Sequence, residues 1–325
     1  MRIPIRASTY GGPILGDIEF RRRRYSEKKV FVTRHLPRLS KGGINTIILP
    51  AENKQEIATF FSELRESSPA MAQAKSSSQV REIVDGGGFA CVLAASYSTV
   101  EHEVSRLDLL HEVGVRLFTM SGNRRNIFVD GCGERNPSGL SYLGADLVKR
   151  LEELGILIDV SHTSEKGFWD IIEATGKGVV VASHSNARRL CDNDRNLTDK
   201  QITAISGRGG IIGVSLHPTL VSKQDPNVNH VVEHLEYLAK TAGPENVAIG
   251  TDFVDFVEDT FVSKIKSIDP SGRLYGGSLH TYPTGVETVE KVSYILTRLK
   301  EKRHDAQLIE NIAGENFLKV LDRID

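Results

Sequence analysis

Apolar and polar positions alternate in blocks along this chain. Short apolar runs of strand length occur at 44–49 (INTIIL), 89–95 (FACVLAA), 115–120 (VRLFTM), 156–162 (ILIDVSH), 179–185 (VVVASHS), 209–216 (GGIIGVSL) and 246–253 (NVAIGTDF). An eighth candidate, PILGDIEF, lies earlier at 13–20. Amphipathic, helix-like stretches separate them at 54–65, 105–113, 141–154, 164–175, 198–206, 228–241 and 286–302. Near-continuous apolar strands alternating with helices predict a parallel sheet covered on both faces, and eight such units predict a closed barrel. The expected fold is therefore α/β, a single (β/α)8 barrel over residues 1–325 with extra C-terminal helices. An open doubly wound sheet fits less well, because GGPILG precedes its strand instead of following one as a phosphate loop would.

Composition narrows the function classes. The chain has 325 residues, with 41 Lys+Arg against 42 Asp+Glu, a balance that offers no basic excess for nucleic acid. It contains no apolar run of membrane-spanning length and no secretory leader pattern at its start, so no membrane association is expected. The 3 cysteines, Cys91, Cys132 and Cys191, form no disulfide framework, and a cytoplasmic setting is expected. The run Arg21–Arg24 reads as a salt-bridged surface beside its acidic neighbours.

In a barrel of this kind the chemistry sits at the C-terminal ends of the strands. Three apolar runs close on histidine, at His162, His184 and His217, and the last run carries Asp252 near its end. Imidazoles and carboxylates converging on one rim suit a divalent transition metal. His162 and His184 form the stronger pair, while His217, which precedes Pro218, reads equally as a substrate contact. The remaining histidines, His35, His102, His111, His230, His234, His280 and His304, fall in helical or loop segments and are expected at the surface. In PILGDIEF the i, i+2 spacing of Asp17 and Glu19 places both carboxylates on one face of a strand. They are candidate metal ligands, or else ion-pair partners of the arginine run.

The segments IDVSHTS, VVASHSNARRLCDNDRNLTDKQITAISGRGGIIGVSL, VAIGTDF and IAGENFLKVLD strongly resemble the membrane (renal) dipeptidase family of zinc metallopeptidases, whose members are amidohydrolase-type barrels with two zinc ions. The resemblance implies that His162 and His184 are metal ligands, that Arg195 receives a substrate carboxylate, and that Asp252 handles the proton of the attacking water. It also implies a homodimer. Three family positions are changed: Asp17 and Glu19 stand where a His-x-Asp motif is expected, Ala95 replaces a bridging glutamate, and Gly122 replaces a histidine. The expected protein is thus a divergent metal-dependent hydrolase acting on a dipeptide or small carboxylate-bearing amide. It would work through one ion on His162 and His184, completed by Asp17 or Glu19; zinc is expected, with iron or manganese as alternatives. A repurposed non-peptidic metal enzyme and an inactive binding homologue are the competing readings.

Overall fold

A computed structural model describes Pro4, residues 6–256 and residues 281–324. Its strands are β1 (Ala7–Ser8), β2 (Thr46–Ala51), β3 (Met71–Gln73), β4 (Phe89–Ser96), β5 (Val115–Thr119), β6 (Leu157–Asp159), β7 (Val180–Val181), β8 (Ile212–Ser215) and β9 (Val247–Gly250). All pairings between them are parallel, in the order β1-β2-β4-β5-β6-β7 and β8-β9. Two backbone links close the ring. Ala182 bridges to Ile212, joining β7 to β8, and Thr9 N–H donates to Ile249 O at 2.9 Å, joining β9 to β1. The result is an eight-stranded parallel barrel, with β3 lying outside the ring against the first residues of β4.

Alternate strand residues fill two cores. Ala7, Ile48, Ala90, Val92, Ala94, Leu117, Leu157, Val181, Ile211 and Ala248 cluster inside the ring, with Phe317, Leu318 and Leu321 of the C-terminal helix packed against them. The intervening residues, such as Leu49, Ala51, Leu93 and Ala95, pack outward with the helices. The interior is narrow: a Cβ at Gly213 would lie 2.1 Å from Ser183 O and from Thr9 Oγ1.

The first strand is not where the apolar pattern put it. Residues 14–20 belong to a helix, Ile14–Tyr25, with Pro13 at its N-cap, and its buried side chains Ile14, Leu15, Asp17 and Ile18 follow helical spacing. Asp17 lies in its first turn and Arg22, Arg23 and Arg24 in its last, which complements the helix dipole. The true β1 is polar and short, because Ser8 and Thr9 hydrogen-bond inside the ring instead of filling it with hydrocarbon. The Ser/Ala-rich stretch at 70–79, which carries no apolar period, contributes β3 and the start of a helix, Ser77–Asp85.

Candidate active site

The C-terminal rim of β6 to β9 assembles around a buried carboxylate. Asp159, at the end of β6, accepts four hydrogen bonds: from Ser161 N–H and Ser183 N–H on Oδ1 (3.0 and 2.9 Å), and from Thr119 Oγ and Ser183 Oγ on Oδ2 (3.0 and 2.6 Å). Because Ser183 spends its only hydroxyl proton on Asp159, its oxygen must accept the Nδ1–H of His184, 2.7 Å away. That fixes the His184 tautomer, with its Nε2 lone pair turned into the mouth.

His162 is fixed in the same sense from the other side. Its Nδ1 lies 2.6 Å from Asn123 Oδ1, an oxygen that also accepts from Cys132 Sγ. Nδ1 therefore donates, and Nε2 presents a lone pair. The two Nε2 atoms face each other at 2.8 Å. Burial, with the positive charge of Arg195 nearby, holds both imidazoles well below their usual pKa, so both are neutral and neither brings a second proton. Two facing lone pairs without a proton between them repel, and a cation is the group that removes the conflict. The donor set thus fits a divalent metal ion, with positions left for water or substrate.

The rest of the set surrounds this pair. Arg195 is 5% exposed; Nη2 donates to His184 O at 3.2 Å, while Nη1 has no hydrogen-bond partner among the described residues. Asp252 accepts from Ser215 Oγ at 3.2 Å. Burial raises its carboxyl to about 7, against the opposing pull of Arg195 and of the Ser215 hydrogen bond. Its main chain is pinned by Tyr282, whose hydroxyl donates to Asp252 O (2.7 Å) and accepts from Val254 N–H (2.8 Å). His162 and Asp252 both have left-handed backbones, φ 72° and 52°, a conformation that costs such residues roughly 1–2 kcal/mol. His217 is buried beside them, its Nδ1 2.9 Å from Thr219 Oγ1 and its pKa lowered to about 3 by burial.

Asp17 and Glu19 are not part of this assembly. Asp17 is buried under Arg21, both of whose contacts from Nε are 3.0 Å, and under His35 Nε2 at 3.0 Å. Glu19 lies near Glu56, on the same helix as Asp17. Among the described residues, no group of three His, Cys, Asp or Glu side chains is placed to hold a metal, so neither carboxylate completes the histidine pair. At the end of β1 the Thr9 hydroxyl donates to Ser183 O at 2.7 Å, and the Tyr10 ring stacks on His184 with centroids 3.7 Å apart. Two of the histidines expected at the surface are buried: His35, and His234, which accepts from Ala187 N–H and donates to Val221 O. His280 lies outside the described residues.

The other two changed positions have structural replacements. Ala95 points outward, and it is Ser96 that turns into the ring, donating to Glu52 Oε2 at 2.7 Å. A Cβ at Gly122 would meet Tyr97 Oη at 3.1 Å, so Tyr97 occupies the space a larger residue would take. Glu52, Asn123, Ser183 and Tyr282 carry parts of this site that the strand-end histidines do not reveal. Glu52 directly follows the TIILPA strand and obeys the same strand-end rule that picks out His162 and His184.

A parallel barrel whose C-terminal rim joins two neutral imidazoles, a poised carboxylate and a buried arginine belongs to the metal-dependent hydrolases. The profile of membrane dipeptidase, peptidase family M19, matches residues 51–267, and the chain belongs to that family. An uncharacterized protein in the pqqA 5' region of Klebsiella pneumoniae is 30% identical over 230 residues, 67% of this chain and 75% of that one. Dipeptidase tcpJ of Claviceps purpurea is 26% identical over 264 residues, 79% of this chain but 56% of its own length. Among solved structures, a metallopeptidase from Rhodobacter sphaeroides bound to a phosphinate mimic of the dipeptide L-Ala-D-Ala superposes with a TM-score of 0.81 at 18% identity, over 100% of both chains. An amidohydrolase from Pseudomonas aeruginosa gives 0.81 at 20% identity, over 99% of this chain and 96% of that one. These likenesses establish the barrel fold.

Proposed function

We propose that the chain hydrolyses the amide bond of a dipeptide or similarly small, carboxylate-bearing amide, using one divalent metal ion, zinc by expectation, held by His162 and His184. The observation that carries this reading is the 2.8 Å approach of two Nε2 atoms whose Nδ1 atoms are both engaged as donors. A metal bound there would supply Lewis-acid polarisation and a lowered pKa for water. The chain's own residues divide the remaining work. Asp252, poised near neutrality, takes a proton from the attacking water and returns it to the departing amine nitrogen. Arg195 offers its unpaired Nη1 to the substrate carboxylate, and burial strengthens that charge-assisted bond. Asp159, through Ser183, keeps His184 in one tautomer, and Asn123 does the same for His162.

A cytoplasmic setting and a homodimer belong to the same proposal. All three cysteines are buried thiols, which supports the first, and the family resemblance supports the second. The function is tested with zinc-loaded protein and a panel of dipeptides, followed by release of free amino acids. Turnover that is lost on chelation and restored by zinc is expected. Absence of turnover at full metal occupancy contradicts the reading and favours a binding protein on an inherited barrel.

A further inference from the structure

Asp252 sits in a turn that its own residue type disfavours. Its φ of 52° lies in the left-handed region, where a residue with a side chain stays only if the surrounding structure holds it there. Two chain segments supply that hold. From the β1 side, Asp252 N–H donates to Tyr10 O at 3.0 Å, and Gly12, itself left-handed at φ 72°, runs so close that a Cβ there would lie 2.2 Å from Phe253 O. From the other side comes Tyr282, whose hydroxyl donates to Asp252 O at 2.7 Å and accepts from Val254 N–H at 2.8 Å. A single phenol oxygen thus ties together both ends of the turn that presents the Asp252 side chain.

Tyr282 is itself firmly placed. It is 3% exposed, with its ring centroid 4.4 Å from that of Phe253 and 6.4 Å from that of His217, which it meets at a steep angle. The loop that carries it is stitched to the start of the helix Val228–Ala242, because Val228 N–H donates to Thr284 O at 2.8 Å and Thr284 N–H to Pro226 O at 2.9 Å. Burial, with the charge of Asp252 beside it, pushes the phenol well above its usual pKa, so it stays protonated at working pH. Its one proton is committed to Asp252 O, which leaves none to donate to a substrate.

We propose that Tyr282 is a positioning residue for the hydrolysis: its hydroxyl holds the left-handed turn at Asp252 and thereby keeps the carboxyl in its buried place beside Ser215. The proposal rests on the hydrolase reading above and adds the residue that keeps the proton carrier in register. A reacting group displaced by about 1 Å loses on the order of 100-fold in rate. Metal binding through His162 and His184 and carboxylate binding through Arg195 do not pass through Tyr282. Loosening the turn also lets water reach the carboxyl and relieves the burial that raises its pKa to about 7 against the pull of Arg195 and Ser215, so its ionisation moves to lower pH.

The test is Tyr282→Phe, which keeps the ring and its contacts and removes only the hydroxyl, in zinc-loaded protein with Ala-Ala as substrate. The variant's kcat is expected to fall at least about 10-fold, with KM and zinc affinity each within about twofold of wild type. The limb of its pH profile, near 7 in wild type, should lie at least about 0.5 lower. Unchanged kcat overturns the proposal. So does a lower kcat whose limb stays at the wild-type pH, since that reports fewer folded molecules and not a displaced carboxyl, and so does an equal loss of zinc affinity. If wild type does not hydrolyse Ala-Ala, the hydrolase reading fails separately, and crystal structures of wild type and Tyr282→Phe then decide the positioning claim. Asp252 leaving the left-handed region in the variant supports it, and an unchanged backbone at 252–254 overturns it.

Discussion

The two halves of the barrel mouth differ in kind. On the β6–β9 side, every strand end is followed by a buried polar group: His162 against His184, with Arg195 behind it, then His217 held by Thr219, and Asp252 held by Ser215. On the β1–β5 side, the corresponding places hold Tyr10 stacked on His184, Ser96 bonded to Glu52, and Tyr97 over Gly122. The first half keeps charge, lone pairs and strained backbone. The second sets rings and hydroxyls there, with the Glu52 carboxylate bonded to Ser96, so Asp252, Arg195 and two imidazoles stand together but, among the described residues, no carboxylate is grouped with the histidine pair as a further ligand. Two dications repel strongly without a bridging oxygen. The contrast therefore points to one metal, and it can be broken or sharpened residue by residue.

Asp252→Asn should have the largest effect, lowering kcat roughly 10²–10⁴-fold with KM little changed, as measured by steady-state dipeptide hydrolysis. Wild-type kcat should rise with pH through about 7 as the carboxyl ionises, and the variant's residual rate should lack that limb. A variant that retains wild-type rate would remove the retained half from the chemistry. Ser183→Ala comes next: it frees the His184 Nδ1 partner and should weaken zinc affinity about 10–100-fold by competition with a chelating dye. Arg195→Lys should raise KM about 10-fold for carboxylate-bearing substrates, since the ammonium is a single point donor and lacks the planar fork that holds His184 O with one nitrogen and offers the other to a carboxylate. A substrate amidated at its C-terminus should show no such difference.

The smallest effect is one of stability. The Asp252 carboxyl is raised in the fold to about 7, above its unfolded value near 3.9. The folded state therefore binds the proton more tightly, and this contribution is complete below about pH 4 and lost as pH rises toward 7. Asp252→Asn, which has no such loss, should melt at least ~2 °C above wild type at pH 8, and the gap should shrink toward pH 4. An unchanged gap across that range would show that the carboxylate is not held at a cost to the fold.

How much of this was legible in the sequence differs between the same two halves. The strands from β2 onward in the ring announce themselves as apolar runs, and the rim histidines and Asp252 are found by looking at the polar residue that closes each run. β1 is hidden because Ala7-Ser8-Thr9 seals the ring with hydroxyls, whereas PILGDIEF offers both strand alternation and helical spacing; Asp17 and the trailing arginines decide for the helix. The carboxylates that looked like ligands are consumed locally, Asp17 by Arg21 and His35. Asn123 and Tyr282 come from loops far from their partners in sequence, and no period marks them. Glu52 was findable by the strand-end rule, but its bond to Ser96 depends on the pairing of β2 with β4, which only the assembled barrel provides.

The most direct measurement is the metal stoichiometry of zinc-saturated protein after dialysis, compared between wild type and His184→Ala. One zinc per chain in wild type, lost in His184→Ala, is the predicted result. Two per chain would mean that the β1–β5 side holds an ion despite Tyr10 and Ser96, and zinc retained without His184 would place the metal elsewhere; either contradicts the one-metal account.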